Sequence, residues 1–299
     1  MPDGETRRVH TFVIPEDRMV HFRERLSTEG FSFAATPPNA FMLWRASRDG
    51  VIIDSYRTGK VVIQGGDAAA LLARADWWPD IIGPEADGDL IGIDEAGKGD
   101  YFGPLVVAAV LVRDDRWKDL ALIGTRDSKS LSDERIARLS TDIRKAYPHS
   151  IVAISPARYN QMYARIRNLN RLLAWGHARA LENILSHWEC ATAISDQFGD
   201  ASYLQSALME KGKRIHLVQR PKAEENLAVA AASILARGEF VRRLATLGEQ
   251  YGMILPKGAG PRVLEAGREF IRRHGSAALP QVAKVHFRTT REIGASPVA

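Results

Sequence analysis

Along the first seventy-five or so residues, apolar and polar positions alternate in short runs. Residues 9–14 (VHTFVI), 40–46 (AFMLWRA), 51–56 (VIIDSY) and 60–64 (KVVIQ) are predicted as strands, with Gly59 and Gly65 punctuating the last. The segment from Pro15 to Glu29 has helical spacing, and Asp67 to Ala75 is a second amphipathic stretch. The following WWPDIIGPEADGDL combines Pro, Gly and acidic residues with two aromatic anchors, Trp77 and Trp78, and has the composition of a linker. The expected organisation is therefore a small domain over 1–75, a linker over 76–87 and a larger domain over 88–299. In the larger domain the pattern changes. LIGID (90–94) and LVVAAVLV (105–112) are continuous apolar runs, as in strands buried on both faces, and SIVAIS (150–155), ATAISD (191–196) and RIHLVQ (214–219) follow. Helical stretches from Asn168 to Trp188, Ala201 to Lys211 and Ala223 to Leu247 separate the later strands. Alternating strands and helices imply an α/β layer fold, and the close succession of the first two strands implies antiparallel neighbours, so the sheet is expected to be mixed and flanked by helices.

Charged groups change this picture where they end buried strands. Asp94 and Glu95 carry the run LIGI into a glycine-rich turn, and Asp196 ends ATAIS in the same way. Glu224, with Glu225 beside it, precedes the run LAVAAASILAR. Each taken singly has an ordinary explanation, either turn formation or a favourable charge at a helix N-terminus. Together they are acids from three strand or helix ends, a set suited to hard divalent cations and phosphodiester chemistry. A single cysteine, Cys190, excludes an internal disulfide and a cysteine-rich metal site, which directs the expectation to Mg²⁺ or Mn²⁺. Gly92 to Lys98 matches a phosphate-binding P-loop except that Gly99 replaces Ser or Thr, and Asp94 and Glu95 would face the triphosphate, so nucleotide hydrolysis is disfavoured. The net charge of +5 suits a polyanionic partner. No stretch is apolar enough for a membrane span and the first ten residues lack a signal-like core, so a cytoplasmic protein is expected.

These residues also carry a resemblance. GIDEAGKGDYFGPL is similar to the first catalytic motif of the type 2 ribonuclease H family, and DSKSL (127–131), YNQMYARIRNLNRLLAWGHARAL (159–181), SDQF (195–198), AEENLAVAAASILAR (223–237), LPKGAG (255–260) and AKVHFRTT (283–290) resemble its later segments in order. DYFGP and NLNRLLAWGHA point within that family to the ribonuclease HIII group, and the N-terminal eighty or so residues, best in TGKVVIQG (58–65), resemble its TATA-binding-protein-like substrate-binding domain. The resemblance implies an RNase H-like mixed sheet flanked by helices with a small N-terminal α+β domain. It also implies hydrolysis of the RNA strand of RNA·DNA hybrids by a two-metal mechanism, without a membrane or an obligate protein partner, and by a monomer. Asp94, Glu95 and Asp196 would be metal-binding catalytic acids. The fourth is Glu224 when aligned from the preceding Lys-Ala, while counting back from Ser233 leaves Glu225 open.

Gly97, Lys98 and Gly99 correspond to the loop that meets ribose 2′-hydroxyls, and Ser128 and Lys129 to positions that grip the hybrid backbone. Other residues have plainer readings. His177 and Trp175 share a helix with Leu172, Leu173 and Leu181 and are expected to serve packing. His286 is expected either to approach phosphate or to order the C-terminal segment, and Asp100 to support the turn or the site. Two rival functions remain: nicking at single ribonucleotides in DNA, as in ribonuclease HII, and hybrid binding without catalysis. Clustered carboxylates argue against the latter, because they repel a polyanion unless metal intervenes.

Overall fold

The computed structural model describes residues 9–14, 16–74, 88–123 and 131–294. The chain divides into two compact units, one formed by residues 1–88 with 113–126 and the other by 89–112 with 127–299. The linker expected over 76–87, with Trp77 and Trp78, lies outside the described residues.

In the first unit, strands β1 (His10–Val13), β2 (Ser32–Phe33), β3 (Met42–Arg48), β4 (Val51–Tyr56) and β5 (Lys60–Gln64) form an antiparallel sheet of order β1-β5-β4-β3-β2. Helices α1 (Glu16–Thr28) and α2 (Ala68–Ala73) accompany it. The two-residue β2 was too short to produce a period-2 signal in the sequence. Alternation in β3 buries Met42, Trp44 and Ala46 and turns Leu43 outward. The core they enter includes Phe22, Leu26, Ile53 and Ile63. Buried Asp54 is satisfied by the Arg45 guanidinium across the strand pair, through Nε to Oδ1 at 2.5 Å and Nη2 to Oδ2 at 2.8 Å. Helix α3 (Trp117–Ile123) belongs to this unit, and its Trp117 indole donates to the Gly88 carbonyl at 3.0 Å.

The second unit is built on β6 (Leu90–Ala96), β7 (Leu105–Val112), β8 (His149–Ile154), β9 (Thr192–Asp196) and β10 (His216–Arg220). Its order is β10-β9-β6-β7-β8, with β10, β9 and β6 parallel and β6, β7 and β8 antiparallel, the mixed sheet that the sequence implied. Around it lie α4 (Asp133–Ala146), α5 (Pro156–Ile166), α6 (Leu169–Leu185), α7 (Ala201–Ala207), α8 (Leu227–Gln250), α9 (Pro261–His274) and α10 (Arg288–Glu292).

One face of the sheet receives α6, whose Ala174, Ala178 and Leu181 join Ile91, Ile93 and Val107 in a shared apolar core. The other receives α8 at Gly92, where a Cβ would lie 2.1 Å from the Ala228 carbonyl carbon and 2.3 Å from the Val229 nitrogen. Helix α8 starts later than the expected Ala223. Residues Ala223–Glu225 form a 3-10 turn, and Asn226 then caps the helix by accepting from the Ala228 and Val229 amides. On its outer side α8 packs on α4, where the mostly buried Glu239 pairs with Arg144, Arg242 and Arg243. Among the described residues, no helix is long and apolar enough to cross a membrane.

Because backbone, rather than a movable side chain, faces Gly92, adding one methyl group there forces the strand and helix apart. Gly92→Ala is expected to destabilise the protein by about 3 kcal/mol, at the upper end of overpacking costs. Urea unfolding checks this, and an unchanged midpoint would show that the strand–helix contact yields freely.

Candidate active site

Strand alternation separates the two neighbouring acids of β6. Asp94 shares its face with Gly92 and turns towards α8, where Ser233 hydrogen-bonds its carboxyl. Glu95 shares its face with Ile91 and Ile93 and turns towards α6, where it meets His177. Strand β9 runs parallel to β6 with Gly92 opposite Ile194 and Ile93 opposite Ser195. Continuing that register by one residue sets Asp196 beside Asp94. Asp196 is tied on its other flank to the 3-10 turn, because its Oδ1 accepts from the Ala223 amide at 3.0 Å.

Asp94, Glu95 and Asp196 line one cavity of about 480 Å³, together with Gly97, Lys98, Gly99, Asp100, Ser233, Arg237 and Lys257. Glu224 is half-buried in the turn after Ala223 and Glu225 is exposed, and neither lines that cavity. Among the described residues, no three His, Cys, Asp or Glu side chains converge closely enough to hold an ion as they stand. The four acids suggested by the sequence are thus only partly assembled.

The two adjacent carboxyls are driven in opposite directions. Burial, then the negative charge of Glu95 and more weakly that of Asp196, push Asp94 up to about 8 despite its hydrogen bonds from Ser233 and the Glu95 amide. Burial also opposes ionisation of Glu95, but the hydrogen bond from His177 and the nearness of Lys98 hold it below its ordinary value. The Lys98 ammonium lies 3.6 Å from Glu95 Oε1. Three carboxyl groups around one cavity, one of them pushed up by burial and by a neighbouring negative charge, are a donor set that fits a hard divalent cation.

The glycine loop is shaped by two different requirements. Gly97 has φ +88°, and a Cβ there would meet the Pro104 carbonyl oxygen at 2.2 Å, so the fold itself demands glycine. Gly99 has nothing within 4 Å of an added Cβ, so its smallness answers to no neighbour in the chain. Asp100 closes the loop by accepting from the Gly258 amide at 2.6 Å. Beneath it the wholly buried Lys284 donates to the carbonyls of Asp100 and Gly103 at 2.7 and 2.8 Å. Burial lowers that lysine to about 7. His286 stacks on Tyr163 with ring centroids 4.0 Å apart.

Ser128 and Lys129 lie outside the described residues. The sequence reading missed Ser233, Arg237 and Lys257, which line the cavity, and Lys284, which braces its loop. Lys284 left no sign in its local sequence, since the carbonyls it meets lie 184 and 181 residues earlier. His177 does more than pack, since it bonds Glu95.

The sheet order and the carboxylates at the ends of its two central parallel strands define a ribonuclease H-type enzyme. A family model described as ribonuclease HII matches residues 91–290. Ribonuclease HIII of Protochlamydia amoebophila (strain UWE25) is 40% identical over 273 residues, covering 88% of this chain and 89% of that protein. Ribonuclease HIII of Chlamydia pneumoniae is 39% identical over 283 residues, covering 91% and 94%. The crystal structure of Bst-RNase HIII in complex with Mn²⁺ superposes with a TM-score of 0.67 at 31% identity, covering 96% of this chain and 98% of that one. The chain belongs to the type 2 ribonuclease H family, among the ribonucleases HIII, and is a ribonuclease H.

Since folding raises the Asp94 pKa above its unfolded value, the native metal-free protein binds a proton that the unfolded chain has lost. Stability from this group is complete below about pH 4 and declines as pH rises towards about 8. Asp94→Asn, which cannot ionise, should therefore raise the thermal midpoint in a chelator by a few degrees at pH 8 and hardly at pH 4. Scanning fluorimetry at the two pH values checks this, and equal shifts would refute the cause given.

Proposed function

We propose that this ribonuclease H is an endonuclease that hydrolyses the RNA strand of RNA·DNA hybrids, leaving 5′-phosphate and 3′-hydroxyl ends. Two divalent cations, Mg²⁺ or Mn²⁺, would be held by Asp94, Glu95, Asp196 and Glu224. The observation that carries this reading is that Asp94, Glu95 and Asp196 share the lining of one cavity with the glycine loop. The Mn²⁺ complex of Bst-RNase HIII supports the choice of metal. When bound, such cations supply Lewis acidity and neutralise charge developing at the scissile phosphate. The protein's own part is positional. Ser233 and the Ala223 amide fix Asp94 and Asp196, while Lys98, 38% exposed at the cavity, offers a phosphate contact. Gly97 and Gly99 let backbone approach ribose 2′-hydroxyls, the groups that separate RNA from DNA. Ser128 and Lys129 are assigned to the hybrid backbone on the same reading, and the enzyme is taken to work as a cytoplasmic monomer.

Cleavage of two duplexes, one with a continuous RNA strand and one with a single ribonucleotide, tests the assignment. The continuous hybrid should be cut much faster in either metal, and Asp94→Asn should abolish cutting. Preference for the single ribonucleotide would move the protein to the ribonuclease HII reading, and near-normal turnover of Asp94→Asn would remove the acids from the chemistry. In the same assay Glu224→Gln should cost far more rate than Glu225→Gln. Equal small losses would leave the fourth acid elsewhere.

We assign the small N-terminal unit, with 1–75 as its core and 76–87 as its linker, to substrate binding. Its β3 turns Leu43 outward, and the nearby Arg57 and Lys60 are exposed. The double substitution Arg57→Ala and Lys60→Ala should weaken hybrid binding and make its logarithmic salt dependence shallower by about 2 if both touch phosphate. The cleavage rate at saturating hybrid should hold. Binding as tight as wild type at every salt concentration would place the substrate-binding surface elsewhere.

A further inference from the structure

His177 is wholly buried on α6, four residues from Leu173 and four from Leu181, in a stripe where an apolar side chain would be the cheaper choice. Both its ring nitrogens instead have polar partners. Nε2 stands 3.0 Å from Glu95 Oε2, and since a carboxylate only accepts, Nε2 donates. Nδ1 stands 3.0 Å from Ser195 Oγ, and that hydroxyl in turn lies 3.1 Å from the main-chain carbonyl of Asp196. Phe198 packs against the imidazole at 4.7 Å between ring centroids and limits its tilt. One ring therefore joins the ends of β6 and β9, the adjacent strands that carry the acids, and leaves Glu95 Oε1 turned towards Lys98 and the cavity.

We propose that His177 is a positioning residue whose ring, by bridging Glu95 and the Ser195 hydroxyl that meets the Asp196 main-chain carbonyl, sets where the two carboxylates stand and so how tightly the cavity binds a divalent cation. This rests on the metal-binding reading of the acids given above. A residue that only filled space would affect folding stability and leave cation affinity alone.

The two isosteric halves of imidazole give the test. Asn places its amide near Nδ1 and keeps the Ser195 contact without reaching Glu95, whereas Gln reaches the Nε2 position and keeps the Glu95 contact. Mn²⁺ binding to the full-length protein is measured by calorimetry for wild type, His177→Asn, His177→Gln and Asp94→Asn, with the metal-free thermal midpoint of each. His177→Asn is expected to raise the Mn²⁺ Kd by about 10-fold or more while His177→Gln stays within about threefold of wild type, the range in which partners of metal ligands usually act. For His177→Asn, kcat should fall at limiting Mn²⁺ and recover at high Mn²⁺, with KM for the hybrid unchanged. If His177→Asn binds Mn²⁺ as wild type does while Asp94→Asn does not, the positioning role is wrong and the metal site stands. Equal loss of Mn²⁺ affinity in the Asn and Gln variants, tracking their loss of thermal stability, would also overturn it. If Asp94→Asn itself leaves Mn²⁺ binding untouched, the metal-site reading fails and takes this inference with it.

Discussion

The contact on which the catalytic unit depends is that between the backbone of β6 at Gly92 and the first turn of α8. Helix and strand touch there with no side chain between them, since an added Cβ would fall 2.1 Å from the Ala228 carbonyl carbon. The helix carries small, buried residues along this stretch, at Ala228, Ala231 and Ala232. Because α8 is pinned at this point, Ser233, little more than one turn further along, falls opposite Asp94, which lies two residues beyond Gly92 on the same strand face. The turn that precedes the helix is fixed by the same placement, and its Ala223 amide reaches Asp196. A packing constraint inside the core thus becomes a geometric constraint on two acids at its rim.

The period of a strand does the remaining work of differentiation. Two acids adjacent in sequence must face opposite sides of a sheet, so Asp94 and Glu95 receive different environments at almost the same place. On the α8 side, burial and neighbouring carboxylates raise Asp94. On the α6 side, His177 and Lys98 supply donors and Glu95 is lowered in spite of burial. One carboxyl is therefore driven towards its neutral form and the other towards its ionised form. Pairs pushed apart in this way are a mark of sites built for chemistry rather than of charges left over at a surface.

Much of this was legible in the chain. The continuous apolar runs that became β6 and β7 named the buried sheet, and the acids that end β6 and β9 stood out because a charge seldom closes such a run without a partner. Glu224 was less legible for a physical reason. Helix periodicity runs on smoothly through Ala223, but the Asn226 cap starts α8 only at Leu227 and leaves Glu224 in a 3-10 turn. His177 was readable as core and is core, yet its two hydrogen bonds are made to residues 82 and 18 positions away, and spacing within one helix carries no trace of them. Lys284 is the same case at greater range, bonding carbonyls 184 and 181 residues earlier.

Domain organisation shows the limit of reading a chain from one end to the other. Composition marks a boundary where Pro, Gly and acids gather, which presumes that a chain leaves a domain once. Here the chain enters the second unit at Asp89, leaves it after β7, and returns at Asp127, so that residues 113–126 belong with the first unit. Within that unit Trp117 and Leu120 are buried, Trp117 donates to the Gly88 carbonyl, and Asp114 accepts from the Gly88 amide at 3.0 Å. A chain begun near residue 88 would keep α3 but lose the sheet of the unit to which it belongs. Uncovering large side chains such as these costs about 1.5–3 kcal/mol apiece. A weakened binding of hybrid by such a shortened chain would then mix lost contacts with exposed core, whereas substitutions of exposed cations remove no buried apolar side chain and so report more directly on the binding surface.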